Sequence, residues 1–279
     1  MGAVIEHFRN RLASLGYPFR DIEFSLSYSQ GDGMAFYGTL FASDIRVIAK
    51  RLLPPDSPIF EAFERAEREE IVFDPSISVE RNHFGHHYAN YGTMCVRGDA
   101  RINLFDSSTT VELDKYYEEF QDLVKLIRRD VREISKALTL EGYAIQESCD
   151  PRWFAGLEDH VWLEKTIGRF TVQVQMREPM YFSLSDVVTD FDGNEITPEQ
   201  VAESLASKQA CAYSLIAQVF NSHTQYPIGE PVIEELVYDM YDLKLGRKVA
   251  RELVSQAIEN ARAELERLTT RPTKSQRIA

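Results

Sequence analysis

Over residues 3–15 the apolar side chains Val4, Ile5, Phe8, Leu12 and Leu15 fall at helical spacing, and Gly16 follows as a C-cap, so a short amphipathic helix is predicted. From Asp21 the period changes to two. Ile22, Phe24, Leu26 and Tyr28 face one way while Glu23, Ser25, Ser27 and Ser29 face the other, as in a half-buried strand. Gln30-Gly31-Asp32-Gly33 supplies turn residues that tolerate positive φ, and Met34 to Phe41 resumes as a second strand, which completes a β-hairpin. Ser43 to Leu53 reads as a helix stopped by Pro54-Pro55, and Ser57-Pro58 opens another that runs to Glu69. Ile71 to Glu80, His86 to Arg97 and Ala100 to Phe105 read as strands, the last two joined by a turn at Gly98-Asp99.

Leu113, Tyr116, Tyr117, Phe120, Val124, Ile127, Val131, Ile134 and Leu138 form one stripe, the longest helix of the chain. Val161 to Leu163 and Arg169 to Gln175 follow as strands that either extend the first sheet or build a small second one. Thr197-Pro198-Glu199-Gln200 combines an N-cap, a first-turn proline and a capping-box glutamine, so a helix is predicted from there to about Asn221. A last helix spans Arg247 to about Leu268, and the basic tail Arg271 to Ala279 has too little apolar content to pack. The fold class is therefore α+β, a largely antiparallel sheet with packed amphipathic helices. Residues 1–110 form a β-meander with inserted helices, and 111–270 a helix-rich half with a short strand pair, in one compact unit. The sequence carries no internal repeat.

Composition narrows the functions open to such a fold. Against 31 Lys and Arg stand 44 Asp and Glu, a net charge of −13 that disfavours general nucleic-acid binding. Neither a long apolar run nor a signal-like start is present, so a cytoplasmic protein without membrane partners is expected. Cys95, Cys149 and Cys211 lie far apart with no Cys-x-x-Cys pair, which reads as three reduced thiols. Nucleotide loops, nucleophile elbows and zinc-protease motifs are lacking, and no cofactor is expected.

Five clusters are candidates for chemistry. At the hairpin tip, Ser29, Gln30, Gly31, Asp32 and Gly33 combine two flanking glycines with an acid, which makes a tight turn or an anion-binding nest. His83, His86 and His87 could ligate a metal with Asp32 or Glu80, although His86 and His87 would point to opposite faces of a strand. Asp190, Asp192 and Asn194 imitate the opening of a calcium loop, but Glu195 and Val201 stand where that loop needs Gly and Glu, so a turn is expected. Glu230, Glu234, Glu235, Asp239 and Asp242 are interleaved with Val232, Ile233, Leu236, Val237, Tyr238 and Tyr241. Such a stretch is either a solvated helix face or a protein-docking edge, with Glu234, Glu235 and Tyr238 as its binding residues. Arg128, Arg129 and Arg132 form a basic cluster that Asp122, Asp130 and Glu133 are placed to neutralise along the helix.

The run from Phe24 to Gly38, with Ser29-Gln30-Gly31-Asp32-Gly33 at its centre, resembles a hairpin signature of uncharacterised bacteriophage and mobile-element proteins. That likeness implies a phage setting and transfers no catalytic residue. Together with the acidity it points to a protein that binds another protein, such as a host or defence component. The alternatives are a metal-dependent or acid–base enzyme at Asp32 and the histidines, and a structural or assembly subunit.

Overall fold

The computed structural model describes residues 2–19, 21–25, 33–81, 94–104, 113–190 and 193–270. They form an α+β fold with two four-stranded antiparallel sheets, organised as two compact units. One comprises Val4–Tyr143, the other Met1–Ala3 with the chain from Ala144 onward, so the boundary falls inside a helix.

In the unit Val4–Tyr143, helix α1 (Gly2–Ser14) buries Phe8 and Leu12. It ends as predicted: Gly16 takes φ +86° and Tyr17 N–H donates back to Leu12 O at 2.8 Å, closing the last turn. Strands β1 (Asp21–Ser25) and β2 (Gly33–Leu40) pair antiparallel with Ser25 opposite Gly33 and Phe24 opposite Met34. Helix α2 (Ala42–Leu52) buries Ile45, Ile48 and Ala49, and α3 (Pro58–Glu67) begins on its proline as predicted. Strands β3 (Ile71–Arg81) and β4 (Met94–Leu104) complete a sheet of order β1-β2-β3-β4, and α4 (Leu113–Cys149) follows. Ile71, Phe73, Ile77 and Val79 of β3 are buried, each contributing about 1.5–3 kcal/mol as apolar surface leaves water. Alternate β3 residues such as Asp74 and Glu80 are exposed, as expected of a sheet with one covered face.

The turn predicted at Gly98-Asp99 does not exist; β4 runs straight through it, with Gly98 opposite Ile77. A Cβ on Gly98 would overlap Val124 and crowd Phe120, so this glycine lets α4 lie close on the sheet.

In the second unit, α4 ends and a single-turn α5 (Pro151–Phe154) leads to β5 (Val161–Ile167) and β6 (Phe170–Arg177). A 3-10 turn at Leu184–Asp186 and α6 (Pro198–Ala206) precede β7 (Ala210–Asn221), β8 (Pro227–Met240) and α7 (Lys244–Thr270). The sheet order is β5-β6-β7-β8. The predicted helix from Thr197 to Asn221 is thus wrong in its second half. Thr197 does cap α6, but Lys208 adopts φ +58° and the chain turns into β7. Cys211, Tyr213, Leu215, Ala217 and Val219 belong to the core shared with α7, while Ala210, Ala212 and Ser214 between them are buried too. A central strand covered on both faces loses its period of two, and its apolar run reads equally well as a helix. Instead of one short strand pair, this part of the chain holds a full sheet.

Although the sequence shows no repeat, the element order does. Both units contain two strands, helical structure, two further strands and a long helix, and both sheets are antiparallel meanders. By this order β8 with α7 corresponds to β4 with α4.

Candidate functional edge along β8

Among the described residues strand β8 is the last of its sheet, so the backbone N–H and C=O groups on its far side have no neighbouring strand there. Glu230, Glu234, Glu235 and Asp239 of the acidic stretch lie on this strand, not on the helix face that was its simplest expectation, and Asp242 follows it, paired with Lys244. Extended backbone puts successive side chains on opposite sides, and Glu230, Glu234 and Glu235 are all exposed. Two register shifts against β7, at Tyr213/Leu215 and Ala217/Val219, bend the strand there.

What holds α7 beside this strand is a buried carboxylate. Asp239 Oδ2 accepts from the Gly246 N–H at 2.7 Å and from the Tyr213 hydroxyl at 2.9 Å, which ties the end of β8 to the first turn of α7. Burial first, and then the Asp239 charge, push the Tyr213 hydroxyl well above its ordinary pKa, so it remains a donor. Gly246 has no room for a side chain, since a Cβ would overlap the Tyr213 hydroxyl.

Between β8 and α7 lies a groove of about 340 Å³ lined by Val232, Ile233, Glu234, Leu236, Leu245 and Glu252, among others. Ile233 is 53% and Leu245 42% exposed, so the groove offers apolar surface to solvent. Among the described residues Glu234 and Glu252 are its charged lining residues, and no Lys or Arg lines it. Glu230, Glu234, Glu235 and Glu252 enter no ion pair among the described residues. Their charge is therefore available to a partner.

The expected binding residues separate on this structure. Glu234 and Glu235 sit on the exposed edge; Tyr238 also lines the groove but is only 8% exposed, with its hydroxyl bonded to Ser204 of α6. Leu245 and Glu252 escaped sequence reasoning because only the antiparallel return of α7 along β8 brings them to the strand. Gly33, the first residue of β2, has φ +133°, as a hairpin glycine requires. Ser29, Gln30, Gly31 and Asp32, with His83, His86 and His87, lie outside the described residues. Among the described residues no group of His, Cys, Asp and Glu could hold a metal. No described helix is long and apolar enough to cross a membrane. At the pseudo-calcium segment Asn194 N–H donates to Asp190 Oδ1 at 2.8 Å and Thr189 is bridged to Glu195, while Asp192 lies outside the described residues.

A larger cleft of about 740 Å³ opens between the β7–β8 turn and the last turns of α7. Its polar groups serve the fold: Arg267 pairs with Glu264, and the Asn260 amide donates to the Glu230 carbonyl.

Comparison of the chain with protein-family models, with curated proteins and with solved structures finds no match.

Proposed function

We propose that this protein acts by binding another protein, and that the far edge of β8 with its groove against α7 is the docking surface. The observation that carries the reading is the coincidence of three things on one strand: a backbone edge with no neighbouring strand among the described residues, a groove that exposes Ile233 and Leu245, and glutamates that enter no ion pair among the described residues. Such an edge accepts an extended segment as an added strand, main-chain hydrogen bonds supplying affinity and the side chains supplying choice. Pro231, the register shifts and the acidic residues discourage indiscriminate pairing. They discourage it selectively, because a basic segment gains from the same charges that repel an acidic one.

The test is titration of the full chain with a short synthetic peptide alternating Arg and Val, against a Glu/Val control. Binding of the basic peptide alone, weakened about tenfold or more by E234Q/E235Q, is the expected result. An unaffected affinity in that variant, or equal binding of the two peptides, overturns it.

A further inference from the structure

The repeated element order makes β4 with α4 the counterpart of β8 with α7, and the two edges carry opposite charge. β8 exposes three acidic residues, Glu230, Glu234 and Glu235, and contains no basic one. β4 contains Arg97 and Arg101, the latter paired with Asp74 of β3, against the single acid Asp99, and among the described residues it too is last in its sheet. Arg97 and Arg101 alternate with Val96, Gly98 and Ile102, the residues of the α4-covered face, and therefore stand on the open one.

On α4, Lys125, Arg128 and Arg132 recur at i, i+3 and i+7, which places them on one flank. That flank borders β4, because Arg128 Nη2 reaches over to donate to the Val96 carbonyl at 3.0 Å. The neutralisation predicted for this cluster is incomplete, and the structure explains why. Asp130 turns the other way, accepting both guanidinium nitrogens of Arg51, at 2.9 and 2.6 Å, and the Tyr17 hydroxyl at 2.6 Å. Glu133 is taken by Arg129 and Asp122 by Lys125. Arg97 and Arg132 enter no ion pair among the described residues.

Resting on the reading of β8 as a docking edge, we infer that its occupant is the basic β4–α4 edge of a second copy of this chain. The contact is head-to-tail: Glu234, Glu235 and Glu252 of one copy face Arg97 and Arg132 of the next, while Arg128 stays on the Val96 carbonyl of its own β4. Because the surfaces differ, each copy keeps one edge free after pairing, so association continues into chains or closes into a ring. The net charge of −13 opposes bringing copies together, which leaves the local opposite patches to supply the attraction. Salt should therefore dissociate the assembly, since at 1 M the screening length shrinks to about 3 Å.

Sedimentation of the full chain across micromolar concentrations, at low salt and at 1 M salt, tests this together with two neutralising variants. E234Q/E235Q and R97Q/R132Q each leave one edge intact. Self-association of the wild type, loss of about tenfold or more in its strength in either variant, and a complex limited to one copy of each when the variants are mixed are the expected results. Wild type that stays monomeric throughout overturns the inference, as does a mixture that fails to form the paired species. If the chain is monomeric yet binds the Arg/Val peptide in a Glu234- and Glu235-dependent way, the docking edge stands and only the second copy falls. Failure of both assays removes both.

Discussion

Glu141 shows how one residue's surroundings set a pH-dependent share of stability. Its carboxylate lies 2.5 Å from His7 Nε2, in a contact joining α1 to α4. The bond from His7 holds the Glu141 carboxyl below the ordinary carboxylate range, against an opposing push from burial and with a smaller contribution from Arg11. A folded-state pKa below the unfolded value of about 4.3 means the stabilisation is complete above that range and is lost as pH falls through the folded value. Glu141→Gln should cost about 1 kcal/mol at neutral pH, lowering Tm by roughly 2–4 °C, and nothing near pH 2. Thermal melts of both proteins across that span read the difference; a constant gap at all pH values would sink the argument. The cysteines follow the same logic in reverse, since burial pushes the Cys149 thiol up to about 12, which keeps it protonated and unreactive.

At the scale of elements, the joint between β8 and α7 concentrates the risk. Gly246→Ala would drive the buried Tyr213 ring from its place and break its bond to Asp239, leaving a buried carboxylate short of one donor. Overpacking and a lost bond of this kind cost about 2–4 kcal/mol together, measurable by urea unfolding. A loss under about 0.5 kcal/mol would mean the glycine is not required there. Much at this scale was legible: α1 with Gly16, the β1 and β2 pattern, the prolines opening α3 and α6, and the stripes of α4 and α7. The misread elements share a physical cause, which is that local pattern is silent about what covers a strand. β7 lost its alternation because it is buried on both faces, and Gly98 looked like a turn because sequence cannot show a helix resting on it. Half of the candidate edge was likewise legible. Glu234 and Glu235 stood out as acids among apolar residues, whereas Glu252 and Leu245 join them only through the packing of α7. The freedom of Arg132 depends on Asp130 being claimed by Arg51 and Tyr17, a contact between residues far apart in sequence.

For the whole molecule, the division into two units gives the stability measurements a built-in label. Both tryptophans, Trp153 and Trp162, belong to the unit that begins at Ala144, while helices and strands are shared between the two units. Tryptophan fluorescence therefore reports one sheet and its core, and far-UV circular dichroism reports both. Each unit has its own sheet and its own buried side chains, the condition under which unfolding need not be a single transition. Tyr17→Phe removes a hydroxyl that donates to Asp130 within the unit Val4–Tyr143 and leaves the other core untouched. It should destabilise its own unit by about 1–2 kcal/mol, shifting part of the dichroism transition in urea while the fluorescence midpoint holds. Equal shifts of both signals would show that α4, which runs from one unit into the other, couples them into one cooperative body.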